Sequence, residues 1–111
     1  GNFHAYIKNR TDTITITCKK LEEKKEIHTI TDKNKISSLI SYISKVKTPF
    51  YKCGHTGSIV FYRNKKSLIK GTADFNYHES CAHITLFHDK KLFSYQITNE
   101  GRKYLKGLCG E

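Results

Sequence analysis

The chain has 111 residues, 37% of them hydrophobic, and a formal net charge of +10 from 20 Lys and Arg against 10 Asp and Glu. This length predicts a single domain over residues 1–111, with one core and little room for a deep substrate cavity. The composition argues against disorder, and no apolar run approaches the roughly 18 residues that a transmembrane helix needs. Because 17 of the cations are Lys and only 3 are Arg, we interpret the charge as a solvated surface, with an anionic partner as the alternative.

The first predicted elements are two strands. Residues 13–18 alternate between Thr and the residues Ile14, Ile16 and Cys18, and this period of two is typical of a half-buried strand. The charged segment 22–25 predicts a turn, and residues 26–31 predict a returning strand. The two strands should therefore form a hairpin.

A helix is predicted next, from Lys33 to Val46. Asp32 is a suitable N-cap, and Pro49 is expected to stop the helix. Apolar residues recur at the i, i+3, i+4 spacing of a helix face: Ile36, Leu39, Ile40, Ile43 and Val46. We assign this face to the core, packed against a sheet, because most of the remaining chain predicts strands.

Two similar hairpins and a final helix follow. The first hairpin joins residues 58–63 to 67–76 through 64–66, and the second joins 83–87 to 91–98 through 88–90. Asn or Asp beside Lys is typical of the turn in both, and Gly71 predicts a bulge or bend. Thr98 or Asn99 should cap a short helix that extends through Gly107.

The predicted element order is β-β-α-β-β-β-β-α, which describes an α+β fold. Consecutive hairpins make an antiparallel meander, and we expect the helices to cover one face of it. No crossover between parallel strands is needed.

The four cysteines indicate a disulfide framework. Cys53 and Cys81 each precede a predicted hairpin, so these positions meet if the hairpins lie side by side, closing a loop of about 28 residues worth roughly 3–4 kcal/mol. A bridge between Cys18 and Cys109 would hold the C-terminus. Disulfides persist in oxidising compartments. We therefore expect an extracytoplasmic protein, which is periplasmic, secreted or membrane-anchored through an upstream lipid.

A metal site is the alternative use of these cysteines. Cys53-Gly54-His55 and Cys81-Ala82-His83 are matched C-x-H units, and residues i and i+2 of a strand point the same way. They would offer two thiolates and two imidazoles to Zn²⁺ or Cu⁺ in a periplasmic metal-binding protein. Because the spacing is not that of a zinc finger, we prefer the disulfides and predict no cofactor.

No motif in the chain indicates an enzyme. A Cys–His nucleophile pair would need Cys53 as a free thiol beside His55 or His83, and a bridged cysteine cannot attack. The chain contains no Gly-rich phosphate loop, no H-E-x-x-H and no G-x-S-x-G. We therefore predict that the chain is not an enzyme.

A nucleic-acid-binding module is a further alternative, because aromatic residues interleave with Lys on the predicted strands and could stack single-stranded bases. No RNP-like run is present, however, and a small meander needs these aromatics in its core. We therefore expect no nucleic-acid partner and assign to the core Tyr62, Phe75, Phe87, Phe93 and Tyr95.

Residues 51–62 read Tyr-Lys-Cys-Gly-His-Thr-Gly-Ser-Ile-Val-Phe-Tyr and are followed by Cys81-Ala82-His83-Ile84. The terminal segment 98–105 has the pattern Thr-x-x-Gly-x-x-Tyr-Leu. This combination resembles small secreted or lipoprotein domains of Bacteroidetes-type bacteria, over about Thr48 to Leu108. The resemblance implies an envelope location and supplies no activity.

We therefore predict a non-enzymatic binding or interaction domain of a bacterial envelope or secreted protein. An anionic surface, a glycan or a protein is the expected partner. The chain begins Gly1-Asn2-Phe3 without a signal sequence, so we expect a mature or trimmed chain whose signal or lipid-anchor cysteine would lie upstream.

Overall fold

The computed structural model describes residues 2–110. In chain order they form α1 (Phe3–Arg10), β1 (Thr13–Lys19), β2 (Lys25–Ile30), α2 (Lys33–Ser41), β3 (Ile43–Lys47), β4 (Gly57–Arg63), β5 (Lys66–Ser67), β6 (Lys70–Asn76), β7 (His83–His88), β8 (Lys91–Ile97) and α3 (Asn99–Leu108). Short 3₁₀ turns lie at Leu21–Glu23 and Glu79–Cys81. The α+β class predicted from the sequence is therefore correct, although the element order differs.

All strand pairs are antiparallel and belong to one sheet, in the order β2-β1-β4-β6-β7-β8-β3, with β5 beside β4. Residues opposite each other across a pair share a face, and one face carries the core. Its central residues are Ile14, Ile16, Ile59, Phe61, Ala73, Phe75, Ile84, Leu86 and Ile97. We call the other side the open face.

Helices pack on the core face through a few apolar side chains. Leu39 of α2 and Leu105 of α3 line a small internal cavity together with Ile59, Ile84 and Ile97. None of the helices within residues 2–110 is both long enough and apolar enough to cross a membrane.

The predicted helix from Lys33 to Val46 is too long. The helix ends at Ser41, and the next residues form β3, in which Ile43 pairs with Ile97 of β8. Ile43 is buried in the strand and also fits the apolar spacing of the helix, so the helical pattern continued through it, whereas Val46 is 59% exposed. Pairing with the free edge of β8 decides the conformation here, and that pairing is not a local property.

Gly101 allows α3 to pack against Tyr42, the residue that follows α2. Glycine inside a helix costs about 1 kcal/mol relative to alanine. A Cβ atom on Gly101 would lie 2.5 Å from Cβ of Tyr42, and the Thr98 amide donates to the Tyr42 carbonyl at 2.9 Å. The glycine therefore permits close contact between α3 and the end of α2.

Helix α1 was not predicted. Its buried residues are Phe3 and Ile7, a single i, i+4 pair that is too short to establish a helical period. Phe3 packs edge-on against Phe61 of β4, with 6.0 Å between ring centroids. Its N-cap is Asn2, whose side chain accepts from the Ala5 amide at 3.3 Å.

The hairpin turns have the predicted positions. Asn64 and Lys65 both have positive φ, and so do Asp89 and Lys90, which is the backbone of a two-residue type I′ turn. Gly71 has φ +71° and lies where the β6–β7 register shifts, as expected for a bulge.

Candidate functional site

Residues 48–56, which connect β3 to β4, cross the sheet, and we call them the strap. β3 lies beyond β8 at the sheet edge, whereas β4 lies between β1 and β6, so the strap must pass β8, β7 and β6. Its contacts follow that path: Thr48 Oγ1 with Ser94 Oγ of β8 (2.5 Å), the Tyr51 ring with the His83 ring of β7 (5.1 Å between centroids), and the Gly54 carbonyl with Asn76 Nδ2 of β6 (3.1 Å).

The strap accounts for the buried polar side chains of the described chain. Asn76, His83 and Ser94 are 2%, 0% and 3% exposed, and all three lie on the open face beneath the strap. Main-chain carbonyls of the strap accept from two of them, because Ser94 Oγ donates to Pro49 and Asn76 Nδ2 to Gly54. The strap is therefore attached to the sheet by polar contacts.

Both cysteine pairs that the sequence suggested are at disulfide distance. Cys53 of the strap is bonded to Cys81, with 6.4 Å between Cα atoms and 28 residues of separation. Cys18 of β1 is bonded to Cys109 beyond α3, with 5.3 Å between Cα atoms and 91 residues of separation. No cysteine is left as a thiol, so the thiolate ligands and the nucleophile considered above are absent from this oxidised form.

The structure also brings together the two histidines of the C-x-H units. The His55 and His83 rings lie 5.6 Å apart between centroids. His83 Nδ1 lies 2.6 Å from the Cys81 carbonyl. Because a carbonyl only accepts, Nδ1 donates in this contact. The Nε2 atoms of His55 and His83 are both buried without a hydrogen-bond partner.

The surroundings of the His55 imidazole lower its pKa. Burial is the largest cause that lowers the pKa of His55 below its ordinary value, and neighbouring His83 and Lys19 lower it further. The carboxylate of Asp74 opposes this shift. The neutral form of His55 is therefore favoured over the charged form.

A cleft lies where β1, β4 and β6 end, and we call it the basic cleft. Its volume is about 610 Å³, and it is lined by three lysines and one carboxylate among other residues: Lys19, Lys20, Leu21, Glu22, Lys24, His55, Thr56, Tyr77, Cys109 and Gly110. Lys20 Nζ is held in place, since it donates to the Cys109 carbonyl and lies 3.3 Å from Glu26. The side chains of Lys19 and Lys24 are exposed.

The segment that predicts a turn also carries a signal for this cleft. Lys19 and Lys20 end one strand of a hairpin, and Lys24 and Lys25 begin the other, so four cations must meet at its tip. The sequence could not predict that the strap contributes to the cleft, because the path of the strap depends on the order of the strands in the sheet.

The aromatic residues assigned to the core divide between the two faces. Phe75 and Tyr95 are buried, and Phe93 packs against the core from its edge. Tyr62 and Phe87 are in register with Thr13 and Leu92 of the open face, and Phe87 is 46% exposed. The core assignment is therefore wrong for Tyr62 and Phe87, since their strand parity places them opposite the buried set.

Comparison of the chain with protein-family models, with curated proteins and with solved structures finds no match.

Proposed function

We propose that the chain is a non-enzymatic binding domain of an extracytoplasmic protein, and that it binds an acidic glycan in the basic cleft. The observation that carries this proposal is the convergence of Lys19, Lys20 and Lys24 on one concave site. A concave cationic site attracts anionic groups more strongly than the same charges spread over a convex surface.

The polar groups of the cleft support a ligand that carries both charges and hydroxyl groups. Lys19 and Lys24 are exposed cations, and Thr56 and His55 also line the cleft. Lys ammonium groups are compact, hydrated point charges, which suit dispersed carboxylates or sulfates. An acidic glycan presents such anionic groups next to its hydroxyls.

Two observations favour a glycan over nucleic acid. Planar recognition of phosphates and guanine edges uses Arg, and none of the 3 Arg residues of the chain lines the cleft. Base stacking uses exposed aromatic rings, and the aromatic residue of the cleft, Tyr77, is only 3% exposed.

The extracytoplasmic location rests on the paired cysteines and on the resemblance to bacterial envelope domains. Two bridges with separations of 28 and 91 residues are typical of small domains that fold in oxidising compartments. The non-enzymatic assignment rests on the absence of catalytic motifs from the sequence. Turnover in a broad hydrolase screen that survives purification would overturn it.

The test of the glycan proposal is a salt titration of binding to heparin and to polygalacturonate. The variant Lys19→Gln/Lys24→Gln removes the two exposed cations of the cleft. The control Lys33→Gln/Lys103→Gln removes two exposed lysines of α2 and α3 that do not line it. Both variants have the same net charge, so only the position of the charge differs.

We expect the cleft variant to bind roughly tenfold to thirtyfold more weakly at low salt, at about 1 kcal/mol for each lysine, and the control to lose much less. Equal losses in the two variants would show that the charge acts from the whole surface rather than from the cleft. Tighter binding of single-stranded DNA than of either polysaccharide would replace the glycan with nucleic acid.

A further inference from the structure

Most of the exposed apolar side chains are concentrated in one region of the surface. Seven large apolar side chains within residues 2–110 are exposed. Four of them belong to the strap and to the β7–β8 hairpin, and we call these four the apolar patch: Phe50, Tyr51, Phe87 and Leu92, which are 56%, 39%, 46% and 47% exposed. Single exposed apolar residues are common on protein surfaces, whereas a cluster of them indicates an interaction site.

The sheet brings the hairpin and the strap together on the open face. Phe87 of β7 and Leu92 of β8 lie directly opposite each other. Ser94, two residues from Leu92 on the same face of β8, donates to the Pro49 carbonyl at 3.2 Å. Phe50 follows Pro49 directly. The hairpin and the first residues of the strap therefore expose their apolar side chains in the same area.

Exposed lysines accompany the apolar patch. Lys52 follows Tyr51 in the strap. Lys70 of β6 is paired with Phe87 of β7, and Lys90 lies in the turn of the hairpin. All three lysines are exposed. A lysine can lay its apolar stem along such a patch and keep its ammonium group in water or among lipid headgroups.

Two carboxylates border the same area, and both have partners. Asp74 accepts from Thr72 Oγ1 at 2.7 Å. Asp89, in the hairpin turn, lies 3.5 Å from His88 Nε2. The three lysines have one charge more than these two acids, so the region is positive as well as apolar.

This combination fits a bilayer surface better than a protein partner. Protein interfaces are enriched in Arg and depleted of Lys, and Leu is under-represented among their strongest contacts. Proteins that bind at a bilayer surface combine Phe or Leu, which enter the boundary of the acyl chains, with lysines that attract anionic headgroups. The charge of the patch is complementary to such headgroups.

We propose that the apolar patch and its three lysines bind the surface of a bilayer that contains anionic phospholipids. The contact is peripheral, with Phe50 and Leu92 at the depth where headgroups meet acyl chains. It goes beyond the glycan proposal and does not depend on it, because none of the four residues of the patch lines the basic cleft.

The test uses tryptophan as a reporter, since the chain contains none. Leu92→Trp places the reporter in the apolar patch, and Ile27→Trp is the matched control. Ile27 is 66% exposed on the same open face, opposite Thr17, and its strand β2 is the edge of the sheet farthest from the hairpin. Each variant is mixed with vesicles of phosphatidylglycerol and phosphatidylcholine in equal amounts, with and without brominated acyl chains, which quench tryptophan on contact.

We expect the emission of Leu92→Trp to shift to shorter wavelength and to be quenched by the brominated lipid, because this position enters the acyl boundary. Ile27→Trp should show neither change. In co-sedimentation, Phe50→Ser should weaken vesicle binding roughly tenfold, because a Phe side chain no longer leaves water. Ile27→Ser should bind like the unaltered chain. Added NaCl should weaken binding, because it screens the attraction between lysines and headgroups.

The other outcomes would each overturn part of the proposal. Quenching of Ile27→Trp as strong as that of Leu92→Trp, or loss of vesicle binding in Lys19→Gln/Lys24→Gln, would move the contact to the basic cleft. Equally tight binding to pure phosphatidylcholine would overturn the assignment to anionic lipid, and no binding to either vesicle would overturn the surface. Short-wavelength emission of Leu92→Trp without vesicles that is lost on dilution would replace the bilayer with a second copy of the chain.

Discussion

The two disulfides of this chain connect regions of opposite character. Cys18 and Cys109 are 0% and 4% exposed within the apolar core, where the helices and the sheet also hold each other by packing. Cys53 is exposed and fastens a strap whose aromatic residues Phe50 and Tyr51 are 56% and 39% exposed. One bridge therefore reinforces a packed core, and the other holds a segment with few apolar contacts.

The two bridges are therefore expected to oppose different processes: unfolding of the whole domain and local opening of the strap. A core region opens only when the domain unfolds, whereas a segment attached by polar contacts can open by itself. The comparison can be tested by breaking each connection in turn.

The largest effect is expected from Cys18→Ala/Cys109→Ala. The bridge spans 91 residues, and the chain-entropy model gives such a loop about 4–5 kcal/mol. That amount is a large part of the stability of a typical domain. Urea denaturation should show the loss in the free energy of unfolding, and amide exchange should accelerate throughout the sheet. A loss below about 1 kcal/mol would contradict the entropic account.

A smaller and more local effect is expected from Cys53→Ala/Cys81→Ala. The loop of 28 residues corresponds to about 3–4 kcal/mol in the same model. Hydrogen exchange should accelerate first at Thr48 and Thr56, whose amides donate to the Ser94 and Phe75 carbonyls at the two ends of the strap. Amides of β1 should keep a larger share of their protection. Uniform acceleration across the sheet would contradict a separately opening strap.

The smallest effect is expected from Asn76→Ala. Its side chain joins the strap to the segment after β6, because Nδ2 donates to the Gly54 carbonyl and Oδ1 accepts from the His78 amide. Leaving both partners unpaired should cost about 1–3 kcal/mol in urea denaturation. Gln96→Ala, an exposed amide on the same face, is the control and should change stability by less than about 0.5 kcal/mol. Equal losses would mean that the Asn76 contacts add nothing.

Local patterns predicted the parts of the fold that depend on local chemistry. Alternation predicted β1, the Asn64 and Asp89 turns followed from their residue types, and Thr98 was a readable N-cap whose side chain accepts from the Gly101 amide. The cysteine positions before two hairpins suggested the Cys53–Cys81 pair. Each of these signals lies within a few residues or repeats with a fixed period.

The missed features depend on contacts between distant residues. Ile43 satisfies a helix pattern and a strand pattern equally, and its partner Ile97 lies 54 residues away in the sequence. The strap crosses three strands only because β3 occupies the far edge beside β8. The approach of His55 to His83 depends on that crossing. The sequence therefore identified the two histidines but could not predict that their Nε2 atoms are buried without a hydrogen-bond partner.

The placement of lysines at the sheet edges has a consequence for behaviour in solution. β2 and β3 are the terminal strands of the sheet, and they carry Lys25, Lys45 and Lys47. Unpaired strand edges invite association with the edges of other molecules, and lysine is a common protection against it. We therefore expect these lysines to oppose the extension of the sheet by a neighbouring molecule.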